Sequence, residues 1–297
     1  MQVQCSDFTV SLDNSSGDIA FLSHAHSDHI FRPRRNAKII ASEATLNLAQ
    51  IEHTSTEHSQ LKMIDAGHIL GARQLIIDSD GRRTVYTGDF SLKKNIFGLK
   101  ADIPTGVDHL IMEATYGSPE YTFPDPSEIH HQIQNWVLQN PSKNLLFGCY
   151  ELGKAQEVIK VLNEISICPI VTEKTNDFCS VYDKHGYLLN RALVGSELAE
   201  ELMKHPFVAI LPMSKAKRYF AARLSEAFSR PTLCAAITGW AKSHSFNTDT
   251  AFSLSDHADF NDLVYYVEQS GAKSVEFFCG NGEAVLQKTQ NSMILNK

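Results

Sequence analysis

Short apolar runs separated by turn residues fill the first 117 positions, and they predict strands at 8–12, 19–22, 38–41, 62–65, 74–78, 84–87 and 109–113. Asp80-Gly81 stands between two of these runs and predicts a tight hairpin. Helices are expected at about 44–50 and directly after His26. Past Gly117 the period lengthens. Asp125-Pro126 reads as a cap followed by proline at the first helical position. Ile129, Ile133, Trp136 and Val137 then share one helical face. A strand at 145–149 follows, then a helix carrying Ala155, Val158, Ile159 and Leu162 on one side. Strands at 169–172, 207–211 and 232–237, with a helix at 216–228, continue the alternation to Trp240. Strand alternating with helix predicts a small α/β domain with a largely parallel sheet. The closing stretch holds Ser255 to His257, a helix around 260–269 and a strand at 274–278.

Composition narrows the class without naming a function. With 43% apolar and 21% charged residues in 297, the chain is expected to be a soluble globular protein with one large core or two smaller ones. No apolar run approaches the roughly 20 residues that span a bilayer, and the N-terminus lacks the basic-then-apolar pattern of a secretory signal. The expectation is therefore a cytoplasmic protein without a membrane partner. Six cysteines with no CxxC spacing are expected as free thiols, with Cys149, Cys168 and Cys234 in the core. A net charge of −7 excludes a broad basic face for nucleic acid. Any basic contact must be local, although bound divalent metals bring their own positive charge.

Against this plain background one segment stands out. Leu22-Ser23-His24-Ala25-His26-Ser27-Asp28-His29 puts four metal-ligand side chains into six residues, at the end of a predicted buried strand. His24 and His26 are two apart, so an extended backbone points both imidazoles to one side. Imidazole and carboxylate donors suit zinc. Two later turns add donors: Gly67-His68-Ile69-Leu70-Gly71, and Thr87-Gly88-Asp89-Phe90, where a strand ends in a carboxylate. Two basic clusters are candidate phosphate contacts: Arg32, Arg34, Arg35 and Lys38 beside the histidine segment, and Lys215, Lys217, Arg218 and Arg223 further on. His130-His131 lacks neighbouring acids or cysteines and reads as surface, and His53, His58, His109, His185, His205 and His244 lack ligand spacing.

The ordered set His24-x-His26-x-Asp28-His29, Gly-His68-Ile-Leu-Gly, Thr-Gly-Asp89-Phe-Ser, Glu113-Ala-Thr-Tyr-Gly and Ser-Asp-His257-Ala-Asp resembles the β-CASP branch of the metallo-β-lactamase-fold nucleases. The likeness runs from Asp13 to about Glu283. Around Gly239-Trp240-Ala241 and 252–259 it looks most like the archaeal mRNA 3′-end-processing and DNA-ligase-associated exonucleases. The resemblance implies an α/β fold, a metallo-β-lactamase αββα sandwich with an inserted β-CASP domain. Residues 1–117 and 241–297 would form the sandwich and 118–240 the cassette. It implies two zinc ions: His24, His26 and His68 on one, Asp28 and His29 on the second, and Asp89 bridging. It implies that Asp13 orients the ligand loop from behind, and that Glu113 and His257 flank the cassette, with His257 the acid for the leaving oxygen. Asp28, Asp89, Glu113 and His257 are thus the candidate catalytic residues.

One position departs from the pattern. RNA-cleaving members carry a histidine, a ligand of the second zinc, at the end of the last strand, where this chain has Cys279. Cys279 either completes the second site as a thiolate or is a small buried residue beside a weaker second metal. The activity implied is two-metal hydrolysis of phosphodiester bonds in RNA or DNA. The implied partners are the nucleic acid and either a second copy of the chain or a subunit of a processing complex. Two other readings stay open: a thioester or lactone hydrolase of the same fold, and a non-catalytic subunit of a processing assembly.

Overall fold

The computed structural model describes residues 1–34 and 36–295, so Arg35 lies outside the described residues. Among the described residues the chain is mixed α/β with three sheets. It forms two compact units: Met1–Lys94, Gly98–Thr122 and Asp256–Lys297 in the first, Asn95–Phe97 and Phe123–Ser255 in the second.

In the first unit the strands Gln2–Gln4, Thr9–Leu12, Ile19–Phe21 and Lys38–Ile40 lie side by side in that order. The first pair is antiparallel and the others are parallel. The second sheet runs in the order Ser274–Gly280, His109–Ala114, Arg82–Tyr86, Arg73–Ser79, Leu61–Asp65. Val10, Leu12, Ile19, Phe21 and Ile40 of the one sheet share a core with Leu75, Ile77, Tyr86 and Ile111 of the other. Each such side chain stabilises the fold by about 1.5–3 kcal/mol on burial. The expected hairpin is present: Asp80 and Gly81 take φ of +56° and +70°, and Ser79 pairs with Arg82 across them. Positive φ at both central residues is the two-residue turn that matches strand twist.

The second unit holds a six-stranded sheet in the order Ala192–Leu193, Ile170–Val171, Val208–Pro212, Asn144–Cys149, Thr232–Ile237, Thr250–Phe252. Every pairing in it is parallel. Parallel neighbours need crossover connections, and the helices Lys154–Asn163, Glu173–Lys184, Glu197–Met203 and Arg218–Phe228 supply them. Asn144–Cys149 is buried at every residue, which is why it reads as an unbroken apolar run. Pro126–Leu138 begins where the Asp125 carboxylate accepts from the Ser127 amide, and it buries Ile129, Ile133 and Val137.

Two expectations are corrected. No helix follows His26: His29 and Ile30 amides both bond the His26 carbonyl, giving one turn that goes no further. Pro33 lies four residues beyond His29, and the residue before a proline is driven out of the helical region. His130 is not on the surface. It is buried, and its Nε2 lies 3.0 Å from Glu157 on the neighbouring helix, an acid 27 positions away that a sequence window does not join to it. Among the described residues no helix is long and apolar enough to cross a membrane.

Candidate metal centre

Every residue of the centre belongs to the first unit, and strand ends deliver most of them. After Ile19–Phe21 the chain stays buried through Leu22, Ser23 and His24, whereas Ser27 and Asp28 turn outward. Asp13, just past Thr9–Leu12, sits behind this loop with φ +52°. Its Oδ1 accepts from the Ser23 amide at 2.7 Å. Its Oδ2 accepts from Ser23 Oγ at 2.7 Å, Tyr86 Oη at 2.8 Å and His29 Nδ1 at 2.6 Å. One carboxylate therefore fixes both the start and the end of the histidine segment.

That network settles the imidazole tautomers. Ser23 gives its hydroxyl proton to Asp13, so at 3.0 Å it can only accept from His24 Nδ1. His68 Nδ1 donates to the Asp256 carbonyl at 2.8 Å. His29 Nδ1 is engaged by Asp13. In His24 and His68 the proton at Nδ1 leaves the lone pair on Nε2, the usual way a protein prepares a histidine for a metal. The three Nε2 atoms of His24, His29 and His68 lie 3.5, 3.6 and 3.9 Å from the same oxygen, Asp89 Oδ2. His26 joins them through Nδ1, 3.0 Å from His68 Nε2.

Two glycines make these approaches feasible. Gly67, at φ +70°, lets the His68 turn pass against Ala101, whose amide a Cβ would meet at 2.3 Å. At Gly88, φ +52°, a Cβ would come within 2.6 Å of Ser23. Either substitution would move a donor.

The electrostatics are those of a site short of positive charge. Burial, then the neighbouring imidazoles, push His24 well below its ordinary pKa. Burial and the nearby His257 do the same to His68, and both rings stay neutral. Burial disfavours a charged His29, yet the Asp13 hydrogen bond and the Asp89 charge outweigh it and raise its pKa to about 9. Burial, then the charge of Glu113, raises Asp89 to about 7. His24 Nε2 is buried with no hydrogen-bond partner, a costly state for a polar atom. His24, His26, His68 and Asp89 offer one donor each within 4.8 Å of one another. Donors around a tetrahedral zinc at 2.0–2.1 Å are roughly 3.3 Å apart, close to the separations above. The residues present fit a metal ion.

Beside this group stands a second pair. Glu113, from His109–Ala114, is fully buried; its Oε1 accepts from the Phe90 amide at 2.9 Å. Both its oxygens face His257 Nδ1, at 3.0 and 2.9 Å. Burial opposes the imidazolium, but Glu113 and then Asp89 more than offset it and raise His257 to about 10. Asp89, Glu113 and His257 also come within 4.8 Å of one another.

The remaining residues singled out by the sequence are less closely drawn in. Asp28 is 80% exposed, with Oδ2 3.9 Å from His29 Nε2. Cys279 follows a bulge in Ser274–Gly280 and pairs in register with Glu113. Its thiol lies 3.9 Å from Thr115 Oγ1, and burial, then the charges of Glu113 and Asp89, push it up to about 12. None of the three donor groups closed to 4.8 Å among the described residues includes Cys279. Arg32, Arg34 and Lys215 are exposed, Lys217 is half-buried, and Arg218 pairs with Asp249 at 3.2 Å. Sequence reasoning assigned no role to Ser23, Tyr86 or Asp256, which set the donor orientations. The proximity of Ser23 and Asp256 to the histidine motifs was the available signal, and Tyr86 left none.

No family model matches the chain. Relatives do. A probable DNA ligase of Opitutus terrae is 30% identical over 275 residues, 84% of this chain and 25% of the ligase. An RNase J-like protein of Methanocaldococcus jannaschii is 27% identical over 190 residues, 51% of this chain and 45% of that one. Cleavage and polyadenylation specificity factor subunit 3 of Dictyostelium discoideum is 35% identical over 114 residues, 36% of this chain and 14% of the subunit. The chain is similar to proteins whose names point to the β-CASP metallo-β-lactamase nuclease family. It spans a quarter of the first of these relatives and less than half of the second.

Proposed function

We infer that the chain is a zinc-dependent phosphodiester hydrolase acting on nucleic-acid strands. One observation carries this reading: three imidazole Nε2 atoms point at one buried carboxylate oxygen, and a buried acid paired with the half-buried His257 stands directly beside it. In this reading the first unit is the αββα sandwich and the second is the inserted cassette. His24, His26 and His68 would hold one ion, Asp28 and His29 a second, and Asp89 both. When bound, such ions supply Lewis acidity, lowering the pKa of water toward neutrality and neutralising phosphate charge.

The protein's own groups do the rest. Asp13 holds the loop and fixes the His29 tautomer. Glu113 accepts from His257 Nδ1 and favours the charged ring, so Nε2 carries the proton that a departing strand oxygen needs. Burial of Glu113 keeps that pair out of competition with water. The names of the relatives include a DNA ligase, an RNase J-like protein and a cleavage factor subunit, and they support a strand of nucleic acid over a small ester.

The test is direct. Zinc-loaded protein is incubated with end-labelled single- and double-stranded RNA and DNA, with a thioester in parallel, and the products are sized. Shortened strands are expected. Thioester turnover with intact strands would replace this reading with a small-molecule hydrolase.

A further inference from the structure

The parallel sheet of the second unit carries a cavity that the metal centre does not use. It has a volume of about 520 Å³ and lies where three neighbouring strands end: Tyr150 follows Asn144–Cys149, Met213 follows Val208–Pro212, and Thr238 follows Thr232–Ile237. Topology makes this a predictable place for a ligand. From Asn144–Cys149 the chain crosses to Ile170–Val171 on one side, and from Val208–Pro212 it crosses to Thr232–Ile237 on the other. These two strands are adjacent, so their connections leave in opposite directions and open a crevice at their carboxyl ends.

The lining has a definite chemistry. Tyr150, Trp240 and Phe246 supply three aromatic rings, and Tyr150 is 63% exposed despite its size. Trp240 is set in its turn by the Thr238 hydroxyl, which accepts from its amide at 3.3 Å. The His244 ring meets the indole edge-on, at 5.5 Å. The Lys217 ammonium stands 6.0 Å from the centre of the Phe246 ring, and exposed Lys215 is two residues from Met213. An exposed tyrosine and two half-buried aromatic rings with lysines beside them are a combination that takes an unpaired base together with its phosphate. Cavities of roughly 300–1,000 Å³ accept ligands of that size.

We propose that this cavity is a nucleobase-stacking site for single-stranded nucleic acid, with Lys215 and Lys217 serving the adjoining phosphates. The proposal rests on the reading that nucleic acid is the substrate, and it adds a grip on the strand apart from the metal ligands. Stacking is tolerant of sequence, so the site would hold any base and exclude a duplex, whose bases already stack on each other.

The test uses the full chain in chelator, so that binding is read without cleavage. Trp136→Phe leaves Trp240 as the reporting indole. Oligothymidylate and thymidine monophosphate are expected to quench its fluorescence saturably, inorganic phosphate to leave it unchanged, and a duplex to bind more weakly. Trp240→Ala should lose about tenfold in affinity for a labelled strand, and Trp240→Phe should recover most of it. Lys215→Ala with Lys217→Ala should flatten the salt dependence. Absence of quenching by the strand, quenching by the mononucleotide alone, or unchanged affinity in Trp240→Ala would overturn the proposal. Cleavage by the zinc-loaded wild type is scored separately. Cleavage without quenching removes the stacking site and keeps the nuclease reading; quenching without cleavage does the reverse.

Discussion

The two halves of the candidate metal centre differ in how far the fold commits to them. On the closed side, His24 and His68 are buried, their tautomers are fixed by Ser23 and by the Asp256 carbonyl, and with His26 and Asp89 they draw within 4.8 Å. On the open side, Asp28 is 80% exposed, and Cys279 holds its proton on a thiol raised to about 12. His29 belongs to both, open at Nε2 and tied at Nδ1 to Asp13. The contrast teaches that donor type alone does not make a site. Preorganisation does, because each ligand already held in place loses little freedom when an ion arrives. On the proposed reading, the closed side would bind an ion more tightly than the open side.

Removing the shared member should erase the contrast. Asp89→Asn is expected to abolish strand cleavage and to empty both sites, read by metal content after dialysis. A variant that kept either ion would show that the halves do not depend on a common carboxylate. Next in size is His257→Ala, expected to slow cleavage by about 10²–10⁴-fold with metal content intact. Because its pKa is raised to about 10, the ring is charged below that pH. The acid is lost, and the rate with it, as pH rises through about 10. Glu113→Gln removes the largest raising influence and should move that limb to lower pH; an unmoved limb would show that Glu113 does not set it.

Smaller effects separate the halves themselves. Asp28→Ala should weaken the second ion and leave the first, whereas His24→Ala should remove the first, both read by metal content. Asp13→Asn should cost about 10–100-fold in metal affinity, the scale typical of a group that holds a ligand in position. The smallest change is expected at Cys279→Ala: about 1 kcal/mol of stability by denaturant melt, with metal content unchanged. A lost equivalent of zinc there would make Cys279 a ligand and bring the two halves closer in character.

Much of this was legible in the chain because the signals are local. The run Leu145-Leu146-Phe147 reads as a doubly buried strand, Asp80-Gly81 as a hairpin, and the His24–His29 spacing as a donor cluster. What escaped depends on distant partners or weak periodicity. Glu173–Lys184 buries only Thr175, Cys179 and Tyr182, a stripe too thin to stand out. The burial of His130 needs Glu157 from another helix, and the role of Tyr86 needs Asp13, 73 positions away. The turn after His26 was misread because its helical geometry stops after one turn. The sequence marked the second half as the weaker one only through Cys279; exposure of Asp28 is a property of the folded loop, not of its residue type.

Calorimetric titration of zinc into the metal-free chain tests the central claim most directly. Two equivalents with affinities at least tenfold apart are expected, the tighter one lost in His24→Ala and the weaker one in Asp28→Ala. Two equal sites, or zinc binding untouched by His24→Ala, would contradict it.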